Sequence, residues 1–241
     1  CSALGIWKVC CELYKYKRWK GMRDMTNEQL EELLTQLTTD EKLGMIHGNE
    51  LFATKGVERL GIPPFVTSDG PRGVRKDFYP DNWNEIGQSY DYVSYLPCNT
   101  ALVATWNTEL VRELYTMEGQ ELYGNQVDTL LGPGVNIHRH PLNGRNFEYF
   151  SEDPLLTGKM AAAQVRGLKS AGMTGSLKHF CGNNQEYHRR FVDSVISERA
   201  VREIYLKGFE IAVKSGYASS IMTTYGSVNG LWTAGNHQLN T

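Results

Sequence analysis

From Thr26 onward, apolar residues alternate between helical spacing and short continuous runs. Thr26 and Gln29 have the spacing of a capping box, and Leu30, Leu33, Leu34 and Leu37 follow on one helical face. Thr39 to Ile46 reads as a second short helix. Beyond it one unit recurs: a short apolar run, a polar or glycine-rich loop, then an amphipathic helix. The runs are Pro64–Val66 before Ser68-Asp69-Gly70, Thr129–Ile137 before His138-Arg139-His140, Gly175–Leu177 before Lys178-His179, and Ser219–Met222 before Tyr225. Thr108 to Tyr123 carries Leu110, Leu114, Met117 and Leu122 as one stripe. Asp153-Pro154 sets a cap before a proline at the first helical position. Ser197 is placed to cap a helix bearing Val201, Ile204, Tyr205, Phe209 and Ala212, closed by Gly216.

Strands alternating with helices predict a parallel sheet with crossover helices. In each unit the charged and aromatic residues come just after the apolar run, at the C-terminal end of the strand. That is the edge on which β/α barrels build their sites, although open doubly wound sheets also bind ligands there. A complete eight-unit barrel typically takes about 250 residues. Here a long loop from Arg75 to Pro97 consumes length, leaving room for about six strands. The expected fold class is therefore α/β, a (β/α)8 TIM-type barrel that is incomplete in this chain. Residues 1–25 read as an N-terminal tail or linker and 26–241 as a partial barrel domain. No internal repeat or low-complexity segment interrupts this organisation.

Composition narrows the class of partner. The 241 residues are 41% hydrophobic and 22% charged, ordinary values for a globular domain. With 25 Lys and Arg against 27 Asp and Glu, no net field favours nucleic acid or an anionic membrane. No run of about 18 apolar residues is present to span a bilayer as a helix. A small, neutral ligand fits this balance best. The five cysteines, Cys1, Cys10, Cys11, Cys98 and Cys181, are odd in number and scattered, so cytosolic thiols are a plainer expectation than a disulfide framework. The chain starts at Cys1 instead of Met. A processed lipoprotein would begin so, but the basic stretch from Lys15 to Lys20 suits a linker in a fragment of a longer chain better.

Four blocks carry chemistry. Asp69 opens Asp69-Gly70-Pro71-Arg72-Gly73-Val74-Arg75, where a fixed carboxylate beside arginine can bond two neighbouring hydroxyls, or simply cap its own turn. Gly132 to Glu148, with Ser151-Glu152-Asp153-Pro154 after it, holds too many polar groups to bury without partners, so a hydrogen-bonded loop network is expected. Glu148, Glu152 and Asp153 are assigned mainly structural parts in it. Lys178 and His179 stand side by side at a strand end, where alternation would aim one at the barrel axis and the other at the adjoining loop. Met222 and Tyr225 supply an apolar wall and a hydroxyl at the last strand end.

In this order and spacing the four blocks resemble glycoside hydrolase family 3, most closely its β-glucosidase and β-xylosidase branch, and the similarity runs from about Thr26 to Thr241. The resemblance implies that Asp69, Arg75 and Arg145 grip hydroxyls at the subsite for the non-reducing end. It implies that Lys178 and His179 bind ring hydroxyls, and that Met222 and Tyr225 shape the floor beside the anomeric carbon. The segment Cys181-Gly182-Asn183-Asn184-Gln185-Glu186 lacks the aspartate–histidine dyad of the N-acetylglucosamine branch. No cofactor is implied, and the expected ligand is a β-glucoside or another β-linked oligosaccharide.

Such enzymes retain configuration by using two carboxyl groups about 5 to 5.5 Å apart. The family's nucleophile is an aspartate usually followed by tryptophan, and its acid/base is usually a glutamate in a second α/β domain. Neither has a counterpart here, since no Ser-Asp-Trp or Thr-Asp-Trp occurs. The nucleophile is expected beyond Thr241, and the acid from the remainder of the polypeptide or a complementary domain. No catalytic residue is therefore assigned within the chain, which alone is expected to be inactive. Two other functions fit parts of the pattern. His138 and His140, with His179 and His188, could ligate a metal in a barrel hydrolase, since alternate strand residues share a face. A non-catalytic sugar-binding module would also show binding groups without reacting ones.

Overall fold

The computed structural model describes residues 25–75, 79, 81–84 and 93–241. The tail through residue 24, with Cys1, Cys10, Cys11 and the Lys15–Lys20 stretch, lies outside the described residues. So does most of the long loop expected between Arg75 and Pro97.

Helix α1 (Asn27–Gln36) starts as its capping box requires: Gln29 N donates to Thr26 Oγ1 at 3.3 Å, and Thr26 N donates to Gln29 Oε1 at 2.7 Å. Thr38 and Glu41 repeat the device at α2 (Thr39–Ile46). Leu33 and Leu37 bury against Val57 and Ile62 in a small cluster separate from the main core. The chain then enters β1 (Thr67–Ser68) and continues through α3 (Asn99–Ala104) and α4 (Thr108–Gly124) into β2 (Thr129–Leu130). Asp153 accepts hydrogen bonds from Leu155 N and Leu156 N and so caps α5 (Pro154–Ser170), with Pro154 in the first turn. It leads to β3 (Thr174–Phe180).

Two expectations need correction in this stretch. The Thr129–Ile137 run pairs as a strand only at Thr129 and Leu130. Gly132 and Pro133 follow, proline has no N–H for the ladder, and only a bridge from Gly134 to Lys178 continues the contact. The buried face of α4 is Val111, Tyr115, Glu118, Gly119 and Leu122, whereas Leu110 is exposed. The leucine stripe is thus displaced, with Leu114 and Met117 at the edge of the core. Against that face α5 approaches so closely that a Cβ on Gly167 would stand 2.4 Å from Arg112 O.

After β3 come β4 (Asp193–Ser194) and a helical run capped by Ser197. It comprises α6 (Glu198–Ala200), a π turn over Val201–Tyr205, and α7 (Lys207–Lys214), followed by Gly216 at φ 78°. The π turn shifts the helical phase yet keeps Val201, Phe209 and Ala212 buried. Then follow β5 (Ser220–Thr223), β6 (Ser227–Val228) and β7 (Leu231–Trp232).

Among the described residues the main sheet has the order β1-β2-β3-β5, all parallel, with Thr67 opposite Thr129, Leu130 opposite Gly175 and Lys178 opposite Met222. It is open, not closed on itself, and helices α4, α5 and α7 pack along it around a core of Leu130, Leu177, Met160, Leu168 and Phe209. A second sheet, β4-β6-β7, was not foreseen. Its β6–β7 hairpin turns on Asn229 and Gly230, both at positive φ, the Asn-Gly pair that favours a two-residue turn. Among the described residues three peptide bonds are cis: Gly132–Pro133, Lys178–His179 and Phe180–Cys181.

Candidate functional site

The polar residues gather at the C-terminal ends of the parallel strands. Beyond β1 the chain turns sharply, and buried Ser68 closes the turn: its Oγ accepts from Arg75 N at 2.8 Å and donates to Arg75 O at 3.1 Å. This loop presents Asp69. Its Oδ1 accepts from Lys178 Nζ at 2.8 Å, although β2 lies between β1 and β3 in the sheet. Lys178 is 1% exposed, so its ammonium depends on such partners, and Glu148 Oε2 lies within 3.5 Å as well.

Glu148 in turn takes both arms of Arg145, Nε at 3.0 Å and Nη2 at 2.6 Å, a paired geometry that only a guanidinium supplies. Burial alone would lower the Arg145 pKa, but the Glu148 carboxylate outweighs it and the guanidinium is held more firmly charged than usual. Its third nitrogen, Nη1, is 3.1 Å from His179 Nε2. A guanidinium can only donate, so Nε2 is the acceptor and the imidazole proton sits on Nδ1. From there it donates to the Tyr149 hydroxyl at 3.1 Å, which also accepts from Asn183 Nδ2 at 3.2 Å. Asn136 clamps the His179 backbone on both sides, with Asn136 Nδ2 to His179 O at 2.9 Å and His179 N to Asn136 Oδ1 at 2.8 Å.

Burial, then the positive charges of Arg145, Lys178 and Arg189, bring the His179 pKa down to about 2, so the ring is neutral at physiological pH. Burial raises the Tyr149 phenol above its ordinary value and the Cys181 thiol to about 11, leaving both protonated. Two cations, Lys178 and Arg145, are matched by two carboxylates, Asp69 and Glu148, around a neutral imidazole. Within this network the charges balance, and its many fixed donors and acceptors suit a ligand rich in hydroxyls.

Asp69, Arg145, Lys178 and His179 thus belong to one bonded network. Arg75 is exposed and lines a cavity of about 420 Å³ with Asp69, Glu148, Arg72, Tyr95 and Phe147. Met222 is half-buried and pairs in register with Lys178. Tyr225 stands at the rim, 56% exposed, with the guanidinium groups of Arg189 and Arg190 at 5.4 and 5.7 Å from its ring. Arg189 bonds Glu186 at 2.9 Å, and Glu186 lies 3.4 Å from Asn183.

The expectation that Lys178 and His179 face apart is not met. The ladder register shifts between Lys178 and Phe180, and both side chains reach the Arg145–Tyr149 turn. Glu148, assigned a mainly structural part in the loop network, has such a part: it joins Arg145 to Lys178. Tyr149, Asn136 and Asn183 were missed. A metal centre at His138 and His140 finds no cage: His138 Nε2 faces the carbonyls of Asn146 and Tyr149 at 2.9 and 3.1 Å, and His140 Nδ1 accepts from Leu142 N. Among the described residues, no three His, Cys, Asp or Glu side chains gather in a way that would hold a metal.

Residues 30–240 match the family model described as the glycosyl hydrolase family 3 N terminal domain. The chain is 59% identical over 187 residues to a beta-glucosidase of Ruminococcus albus, covering 78% of this chain and 19% of that protein. It is 42% identical over 210 residues to the thermostable beta-glucosidase B of Acetivibrio thermocellus, covering 87% and 28%. The solved structure of beta-glucosidase 3B from Thermotoga neapolitana in complex with glucose superposes with a TM-score of 0.78 at 42% identity, covering 87% of this chain and 31% of that one. The open parallel sheet accordingly corresponds to part of a β/α barrel. The chain spans about a fifth to a third of the length of these relatives.

Proposed function

This chain belongs to glycosyl hydrolase family 3 through its N-terminal domain, and on that premise we propose that it supplies the sugar-holding half of a retaining exo-acting β-glucosidase site. The observation that carries the proposal is the continuous network from Asp69 through Lys178, Glu148 and Arg145 to neutral His179.

In this reading Asp69, Arg75, Arg145, Lys178 and His179 bind the hydroxyls of the terminal sugar, and Met222 and Tyr225 flank its reacting carbon. Their work is orientation: binding energy is spent in holding the anomeric carbon in line for attack. Ion pairing among the network's own members fixes each group before the sugar arrives, so little side-chain freedom is lost on binding. Asp69 and Glu148 are engaged with Lys178, an arrangement that suits gripping rather than proton donation. The attacking aspartate and the protonating glutamate come, in this proposal, from other parts of a longer polypeptide or from a complementary domain. A glycosyl-enzyme forms as the leaving oxygen takes a proton, and water then releases the sugar with its configuration retained.

Residues 26–241 form one partial barrel domain in this proposal, and the substrate is a terminal β-D-glucoside, with β-xylosides as the nearest competitor. A cytoplasmic location is part of the same reading. It is supported by the unpaired thiols of Cys98 and Cys181, and cell fractionation tests it. No described helix is long and apolar enough to cross a membrane.

Proton NMR of fresh hydrolysis of an aryl β-glucoside by the longer polypeptide containing these residues tests the mechanism. β-Glucose appearing before mutarotation supports it. Release of the α-anomer first would overturn retention.

A further inference from the structure

Behind the two loops that carry the charged network lies a buried polar connection that none of the roles assigned above uses. Tyr115, on α4, is 0% exposed, and its hydroxyl donates to Pro71 O at 2.6 Å, two residues after Asp69. Asn99, at the start of α3, is 1% exposed, and its Nδ2 donates to the carbonyl of Glu148 at 2.6 Å. The Tyr115 hydroxyl has one proton, given mainly to Pro71 O, and Asn99 Oδ1 accepts a longer second branch of it at 3.4 Å. The adjoining Thr100 Oγ1 donates to Asn146 O at 3.1 Å, pinning the same turn a second time.

We infer that Tyr115 and Asn99 form a relay that holds the Asp69 loop and the Arg145–Tyr149 turn in one fixed relation, and so act as positioning residues for the sugar site. The functional half of this inference rests on the sugar-site reading above. Lys178 takes a carboxylate from each of the two loops, at 2.8 and 3.5 Å. Hydrogen bonds weaken steeply when heavy atoms separate beyond this range, so a slip of one loop against the other detaches one carboxylate from the shared ammonium. Neither loop is a regular strand or a long helix that would set this spacing alone. The relay sets it from behind through two backbone carbonyls, which no change in the loop side chains can remove. Helix α4 braces the first loop on its other flank too: Glu121 accepts from Ser94 N at 2.9 Å and Ser94 Oγ at 2.6 Å, and Leu96 N donates to Arg72 O at 2.8 Å. Burial pushes the Tyr115 phenol well above its ordinary value, so its hydroxyl remains a donor across the working pH range.

The test uses the longer polypeptide with Tyr115→Phe, which removes only the hydroxyl, and with Asn99→Ala. Each is expected to lower kcat for an aryl β-glucoside about fivefold with a smaller change in KM, the signature of lost orientation. The double variant is expected to be little worse than either, because one break already uncouples the loops. Amide hydrogen exchange gives a second readout that does not depend on activity. Tyr115→Phe should speed exchange in residues 145–149 as well as 69–75, and Asn99→Ala should speed 69–75, which Asn99 does not bond. Unchanged kcat in a folded Tyr115→Phe enzyme, or exchange altered only in the directly bonded loop, overturns the relay. A wild-type polypeptide that does not cleave β-glucosides defeats the glucosidase reading instead, and the exchange experiment still judges the relay. Should Tyr115→Phe fail to fold, Asn99→Ala alone decides it by the same exchange criterion.

Discussion

Lys178 and Asp69, 109 residues apart in the chain, meet at 2.8 Å over the end of a strand that separates theirs. Replacing Asp69 with Asn leaves a buried ammonium with Glu148 as its nearest anion, at 3.5 Å. Breaking a fully buried pair costs several kcal/mol, but the Asp69 side chain is 34% exposed and water screens part of the loss. The expected penalty is about 1–2 kcal/mol of stability, with glucose affinity down roughly tenfold or more. Urea unfolding and calorimetric titration with glucose measure both. Unaltered affinity would remove Asp69 from the site.

His179 gives a pH signature. The unfolded imidazole takes a proton below about pH 6.5, whereas the folded ring, its pKa brought to about 2, does not. The unfolded state therefore binds more protons in that window. Stability is full above it and falls as pH drops, by up to about 1.4 kcal/mol per unit from this group. His179→Asn should flatten the decline between pH 6.5 and 5 in denaturant midpoints. Parallel curves for wild type and variant would show that His179 is not the buried neutral group described.

Arg145→Lys keeps the charge but loses the fork. One ammonium cannot hold both Glu148 oxygens and also donate to His179 Nε2 in the same geometry. A loss of roughly 2 kcal/mol in binding, about thirtyfold in glucose Kd, is expected. Glu148→Gln should give a similar loss, since it removes the same pair from the other side. A Lys variant with wild-type affinity would mean that the charge alone matters.

Gly134 lets the second loop close on the strand. A Cβ there would stand 2.7 Å from both Glu148 O and the Tyr149 ring. Gly134→Ala should push this turn outward, weakening glucose binding more than it lowers Tm. Unchanged binding with a lowered Tm would show that the turn moves without disturbing the site.

Much of this arrangement was legible in the sequence, and the failures have physical causes. Asp69, Lys178 and His179 follow apolar runs, so their placement at strand ends could be read locally, whereas Arg145, in a turn well past its strand, came from the family resemblance. Helix α4 was misphased because its buried face includes Glu118 and Gly119, which no hydrophobic pattern marks. Glu148 was legible as part of the loop network, but its tie to Lys178 was not, since that contact spans the fold and only the tie to Arg145 is local. Asn136 and Asn183 bond groups 43 and 34 residues away, beyond any local signal. The Asn229-Gly230 hairpin was visible as a turn pair but stood in a segment read only for its strand end.

Hydrolysis of an aryl β-D-glucoside by the longer polypeptide, as wild type and as Asp69→Asn, with and without a chelator, tests the central claim most directly. Expected is chelator-resistant turnover whose kcat/KM falls by about two orders of magnitude in the variant, through lost orientation of the terminal sugar. Wild-type protein that cannot cleave the substrate, turnover abolished by the chelator, or an Asp69→Asn enzyme as efficient as wild type would contradict it.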